Sequence, residues 1–394
     1  MSFPYIKQIK VNNCHTYKDF KIPAAELSNF KHIIITGRNA SGKTTILNRI
    51  AFLLSELQKG TTISARISRL NALIKSNPGN QSLKTWQQEL NDYNDVELNY
   101  FSDSSLIKSD NCIIAYFKAH RKMQLSSVNT VTREDEFFNK LKKDNNSPTL
   151  ITQFKQYLVN KKVYEAFEYM NSKSDVKNAN SIFFENLTNT LKNIFHDEKL
   201  ELEFVQESFE FYLKLKDSRK VTFNQLSEGF SAFLSVLIEL IMRTDLIRKS
   251  QDDYSLEPEG IVIIDEPETH LHLSMQYEIL PLISKLFPRI QLIVASHSPA
   301  IISSLENAVI YDLTSREEVA DWVLGSSFSE LMIRHFGLEN EYSPVADKII
   351  LDVNDAVKNK NVNRLKQILE QNESYLTPSL RLEIESQIIH NQSR

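Results

Sequence analysis

Residues 33 to 45 read Ile33-Ile34-Ile35-Thr36-Gly37-Arg38-Asn39-Ala40-Ser41-Gly42-Lys43-Thr44-Thr45, and they decide the fold. An unbroken β-branched run is what a strand covered on both faces requires. Past Thr45, residues Ile46, Leu47, Ile50, Leu53, Leu54 and Leu57 recur at the spacing of one helix face. The order is therefore strand, glycine loop, helix, and Gly37-x-x-x-x-Gly42-Lys43-Thr44 has the spacing of a phosphate-binding loop in the setting such a loop needs. Glycine lets the backbone close around phosphate oxygens. The N–H groups from Asn39, Ala40 and Ser41 through Gly42 to Thr45, with the helix N-terminus, supply positive potential. Lys43 adds a charge toward the β- and γ-phosphates and Thr44 a hydroxyl for Mg²⁺, so ATP and Mg²⁺ are the expected cofactors.

Two further apolar runs end in polar residues. Ile261 to Ile264 leads into Asp265-Glu266-Pro267, and a strand end is where open α/β sheets hold their ligands. There Asp265 is expected to hold Mg²⁺ through water and Glu266 to accept a proton from the attacking water. Strand alternation is expected to send the two acids to opposite faces. Leu292 to Ala295 leads into Ser296-His297-Ser298-Pro299, with a helix between the two runs, as in a βαβ unit. Gln225-Leu226-Ser227-Glu228-Gly229-Phe230 precedes an apolar stretch to Met242, interrupted by Ser231, Ser235 and Glu239. That stretch is too short to span a membrane and reads as a buried helix, with Ser227 at its N-cap and Gly229 at a close backbone approach.

The chain has 394 residues, 41% of them hydrophobic and 24% charged, enough for a sizeable core and too apolar for a disordered chain. A net charge of −4 argues against a generally basic nucleic-acid coat, although a local basic groove stays open. Two cysteines without CxxC spacing exclude a disulfide framework and a cysteine-rich zinc site, and a reducing cytoplasm is expected. Short strand-like runs, Tyr5 to Val11 and Tyr17 to Ile22, open a β-rich N-terminal lobe. Residues 60–111 and 133–196 read as mostly helical insertions, on either side of a strand from Cys112 to Phe117. Alternation over Leu200 to Val205 and Phe209 to Leu215 signals a hairpin. The expected division is an ATPase core over 1–310 and a mainly helical extension over 311–394. His270 and His272 could be misread as metal ligands; their place just after Asp265-Glu266 assigns them instead to a loop expected at a subunit interface.

Taken in order, Gly37 to Thr45, Ser227 to Gly229, Asp265-Glu266 and Ser296-His297 resemble an ATP-binding-cassette ATPase of the RecF, structural-maintenance-of-chromosomes and overcoming-lysogenization-defect group, over roughly residues 1 to 310. The resemblance implies an α/β fold of the P-loop NTPase class. It implies a head-to-tail homodimer or higher oligomer around ATP, in which Ser227 and Gly229 meet the γ-phosphate held by the other subunit and His297 contacts γ-phosphate. It also implies a glutamine on Mg²⁺ between the phosphate loop and the signature helix; Gln124, beside His120-Arg121-Lys122, is the candidate, with a solvated basic loop as an equal alternative. Glu228 stands where the usual signature has glycine, and the long separation of Gly37 from Gly229 departs from transporter subunits. Asp-Glu-Pro-Glu-Thr-His-Leu-His resembles the ATPases of bacterial anti-phage systems of the Septu and PARIS types. Asp352-Val353-Asn354-Asp355 lacks the spacing of the nuclease domain that some of the group carry. The implied function is an ATP-hydrolysing regulator of a separate effector, such as a nuclease, in antiviral defence, with no membrane partner. A DNA-repair ATPase that binds DNA directly and an ATP-locked scaffold with little turnover are the alternatives, and nucleic acid stays open as a partner.

Overall fold

The computed structural model describes residues 3–14, 17–101, 107–108, 111–121, 123–133, 136–137, 147–171, 179–319, 321–334 and 343–392. Parts of both expected insertions, and Lys122, lie outside the described residues. The chain forms two compact units, Met1–Ser326 and Ser327–Arg394.

The first unit is built on a six-stranded sheet of order β12-β11-β3-β10-β9-β5. Its strands are β3 (His32–Thr36), β5 (Cys112–Phe117), β9 (Glu259–Asp265), β10 (Ile290–Ala295), β11 (Ala308–Asp312) and β12 (Glu317–Val319). All neighbours are parallel except β11 and β12. Helix α1 (Lys43–Gln58) covers one face: Ile46, Leu47, Ile50, Leu53, Leu54 and Leu57 share one core with Ile33, Ile35, Ile261, Ile263, Ile293 and Ala295. These strand residues are two apart, so the alternate positions Ile34, Val262, Ile264, Leu292 and Val294 face the opposite layer, also fully buried. Deleting one such side chain, as in Ile50→Ala, costs about 2–5 kcal/mol.

Two small antiparallel sheets flank this core, and each holds a strand that the sequence pattern hid. β1 (Ile6–Cys14) pairs with β2 (Tyr17–Ile22) on one side and β4 (Val96–Tyr100) on the other. Residues 60–111 are thus not only a helical insertion: α2 (Ile63–Ser76) and α3 (Leu83–Asn94) are followed by a strand that completes the N-terminal sheet. The expected hairpin is β6 (Glu201–Val205) with β7 (Glu210–Lys214), and β8 (Lys220–Thr222) adds a third strand. Gln291, fully buried, ties the sheets together: its amide donates to the carbonyls of Ile6 and Lys31 and accepts from the Ile6 N–H at 2.7 Å.

Helices α4 (Ser147–Asn171) and α5 (Ala179–Phe195) form the second insertion, α6 (Glu228–Gln251) is buried almost all round, and α7 (Leu273–Leu286) and the short α8 (Pro299–Ile302) follow β9 and β10. Three of the polar residues buried inside α6 are satisfied. Ser231 Oγ accepts the Met123 N–H at 2.9 Å, Ser235 Oγ donates to the Ala232 carbonyl at 2.7 Å, and Glu239 pairs with Arg243 at 2.7 Å. Among the described residues no helix is long and apolar enough to cross a membrane. The first unit extends to Ser326 rather than ending near 310, because β11 and β12 complete the central sheet.

In the second unit, Ile349, Val353, Leu365, Ile368, Leu380, Ile384 and Ile388 pack one small core between α10 (Pro344–Lys358), α11 (Val362–Gln371) and α12 (Pro378–Gln392); the short α9 (Phe328–Arg334) precedes them. Ser343 and Asn361 cap α10 and α11 through their side chains. Asp352 to Asp355 lie inside α10.

Candidate functional site

The loop between β3 and α1 takes its shape from residues with positive φ. Gly42 has φ 82° and Ala40 φ 62°. A Cβ on Gly42 would also fall 2.9 Å from the ring of Tyr17, so both conformation and space demand glycine there. Lys43 is 6% exposed, and its Nζ donates to the carbonyls of Gly37 at 2.8 Å and Arg38 at 3.2 Å. Two of its three protons are thus committed to the loop, leaving one for a ligand. Burial lowers the Lys43 ammonium from its ordinary range, opposed by the carboxylates of Glu266, Glu268, Asp265 and Asp312. The loop is braced from β11: the Arg38 N–H donates to Thr314 Oγ1 at 3.0 Å, and the Thr314 N–H to Asp312 Oδ1 at 2.7 Å.

Asp265 ends β9 on the side of Ile261 and Ile263, the face that α1 covers, and its carboxylate bonds the Thr44 hydroxyl at the start of that helix. It is 2% exposed, and its Oδ1 is buried with no hydrogen-bond partner. Burial, first, raises the Asp265 carboxyl above its usual range, while the Thr44 bond and the charges of Arg121 and Lys43 pull it down. A buried acceptor without a donor is costly, and a cation between this carboxylate and phosphate oxygens would satisfy it. Asp265 and Thr44 therefore fit Mg²⁺. Among the described residues, no group of three or more His, Cys, Asp or Glu side chains is arranged to hold a metal ion, so such an ion would lean on phosphates for its remaining ligands.

Glu266 does not continue the strand. Its φ is 46°, and its N–H donates to the Ala295 carbonyl at 2.8 Å. This turn, rather than strand alternation, aims its side chain. His297 Nδ1 lies 3.7 Å from Glu266 Oε1 and 3.3 Å from Glu268 Oε1. The ends of β9 and β10 thus meet at three acids and one histidine.

Gln124 lies exposed on the loop after β5. It is Arg121, on the same loop, that reaches the acid pair, donating to the carbonyls of Asp265 at 2.9 Å and Glu266 at 3.1 Å. Burial lowers the Arg121 guanidinium to about 10, opposed by Glu268, Asp265 and Glu266. Ser227 occupies the N-cap of α6 but makes no side-chain capping bond, unlike the expectation for its hydroxyl. Gly229 packs against the loop after Glu268: a Cβ there would fall 2.3 Å from the His270 carbonyl oxygen. Among the described residues, no hydrogen bond of the phosphate loop reaches Ser227 or Gly229.

The structure therefore gathers Gly37 to Thr45, Asp265, Glu266 and His297 where the strands end, and it packs Gly229, in the first turn of α6 after Ser227, against His270 in the loop after Glu268. Arg121 and Glu268 join the gathered set without having been singled out in the sequence. A second acid two residues past Glu266 was the one available signal for Glu268; Arg121 stood in the basic run His120-Arg121-Lys122, which marked the loop but not its reach to the acids.

A family profile described as "AAA domain, putative AbiEii toxin, Type IV TA system" matches residues 33–303, a span that includes all of these residues. The Septu protein PtuA of Bacillus thuringiensis is 21% identical over 394 residues, covering 95% of this chain and 94% of that protein. The Retron Ec83 probable ATPase of Escherichia coli is 31% identical over 123 residues, 29% of this chain, and the match spans 22% of that protein's length. Among solved structures, the Smc head domain bound to the C-terminal domain of ScpA, from Pyrococcus furiosus, aligns with 14% identity and a TM-score of 0.36, covering 80% of this chain and 95% of that one.

Proposed function

We propose, from the premise that this chain belongs to the AAA-domain family matched over residues 33–303, that it binds ATP with Mg²⁺, hydrolyses it, and uses the cycle to control a separate effector in anti-phage defence. The observation that carries the reading is the convergence of Lys43, Asp265, Glu266 and His297 where β3, β9 and β10 end. Lys43 supplies charge to the phosphates and Thr44 with Asp265 a seat for Mg²⁺, whose charge would offset that of the phosphates. Glu266, one-third exposed, is the carboxylate placed to take a proton from water.

The relationship to Septu PtuA over nearly the whole of both chains supports the defence role. A head-to-tail dimer is supported by the exposed, uncapped Ser227 at the end of α6, a feature that serves a phosphate only when another subunit delivers one. Surfaces for an effector are supported by exposed apolar residues on the second insertion, Phe167, Tyr169 and Met170, and on the C-terminal helices, Leu351 and Leu382.

Two measurements test the reading. Purified protein should release phosphate from ATP in the presence of Mg²⁺, and Glu266→Gln should bind ATP without releasing phosphate. Turnover by Glu266→Gln at the native rate would remove Glu266 from the role of base. Cells carrying this chain with its genomic neighbour should resist phage, and protection by this chain alone would argue against a separate effector.

A further inference from the structure

One oxygen of Glu268 carries the connection between the ends of β9 and β10. Glu268 Oε1 accepts from Ser296 Oγ at 2.7 Å and from the His297 N–H at 2.9 Å, and it lies 3.3 Å from His297 Nδ1. Glu266 is the more distant acid from that nitrogen, at 3.7 Å. The two glutamates also differ in exposure, 7% for Glu268 against 33% for Glu266.

The surroundings hold Glu268 in place. Ser296 Oγ accepts the Ser298 N–H at 3.0 Å, Ser298 Oγ donates to Gln276 Oε1 at 2.6 Å, and the Gln276 amide donates to the Leu271 carbonyl at 2.9 Å. The Leu271 N–H returns to the Glu268 carbonyl at 2.9 Å, which closes the ring of bonds. Glu268 Oε2 is buried with no hydrogen-bond partner, and such a carboxylate is tolerated only with compensating charge. Arg121 and Lys43 are the cations whose charges it meets.

We propose that Glu268 is the positioning residue for His297: its carboxylate, 3.3 Å from Nδ1, draws the ring proton to that nitrogen, fixes the tautomer, and leaves Nε2 as an acceptor that orients water beside Glu266. His297 is 45% exposed, so the side of the ring away from Glu268 is open to a ligand. The division of labour follows from the geometry. A buried carboxylate already accepting two hydrogen bonds is suited to orient a neighbour, and a one-third exposed carboxylate to exchange a proton. The part of this proposal that concerns water rests on the ATPase reading; the tautomer does not.

The test joins spectroscopy to kinetics on the full-length chain. In ¹⁵N-histidine spectra at pH 8, with His297 assigned among the nine histidines by its loss in His297→Gln, the wild type should carry its ring proton on Nδ1. Glu268→Ala should move that proton to Nε2, and Glu268→Gln, whose carbonyl still accepts, should restore it. Glu268→Ala should lower kcat for ATP about 10- to 100-fold with KM within about twofold. In a His297→Ala background the same substitution should cause no further loss, because its effect passes through the ring. A wild-type ring protonated on Nε2, or losses that multiply in the double variant, would overturn the proposal. The wild-type spectrum decides even if Glu268→Ala does not fold. Absence of ATP turnover in the wild type would refute the ATPase reading, with the tautomer still read independently.

Discussion

Arg121 donates from Nη2 to the carbonyl oxygen of Glu266 at 3.1 Å, and so fixes the residue at which the backbone turns out of β9 with φ 46°. Its other terminal nitrogen bonds the carbonyls of Asp265 and Lys118, so one half-buried side chain links the loop after β5 to the acid pair. Arg121→Ala would leave these carbonyls without their charged donor and three acids with Lys43 as their remaining nearby cation. We expect a loss of about 1–3 kcal/mol in urea unfolding and a fall in kcat. Arg121→Lys, which cannot reproduce the forked geometry, should recover stability only in part.

Lys43→Ala should weaken ATP binding severely, by at least about tenfold in calorimetry, because a buried charge expected to face the phosphates is removed. In the apo protein the change removes two bonds to loop carbonyls and a cation from beside the acids, so stability should fall as well. Unchanged affinity would place the nucleotide elsewhere.

Gly229 is required for space. The Cβ of an alanine would fall 2.3 Å from a backbone oxygen, that of His270, which cannot move without shifting the loop that follows Glu268. Gly229→Ala should cost about 1–3 kcal/mol of stability and reduce ATP turnover even in the absence of any contact with nucleotide. A variant with native melting temperature and native turnover would contradict this packing.

A composite site makes a different demand on Ser227. Lys43→Ala and Ser227→Arg chains should each be inactive alone, and their mixed dimer should recover turnover at one of its two sites. Confirmed heterodimers with no recovered activity would argue against α6 serving a second subunit.

His32 gives the fold a pH dependence of definite sign. Its Nδ1 accepts the Leu292 N–H at 3.0 Å, Nε2 faces Ser284 Oγ at 3.1 Å, and burial lowers the imidazole from 6.5 to about 4. Above 6.5 the ring is neutral folded and unfolded, and pH has no effect through it. As pH falls from 6.5 toward 4, only the unfolded chain takes up the proton, so stability declines. Between pH 7.5 and pH 5 this amounts to about 2 kcal/mol. Urea midpoints of the wild type and His32→Gln at the two pH values should differ by that amount in their pH response.

Local order carries the phosphate loop. Ile33 to Leu57 contains its own strand, turn and helix, each with a short-range pattern, and the ends of β9 and β10 are legible in the same way because a buried strand shows as an unbroken apolar run. Val96 to Tyr100 shows no such run. Its outer positions face solvent in part, and it becomes a strand because Ile6 to Val11 offers it partners. Arg121 meets Asp265 across 144 positions, and Glu268 meets Ser296 and His297 across 28 and 29. The sequence by itself therefore determined the fold class and the residue types able to handle phosphate. Only the tertiary structure decided which acid lies against His297 and which cation braces the acids, because those choices depend on buried charges brought together from distant strands rather than on any pattern along the chain.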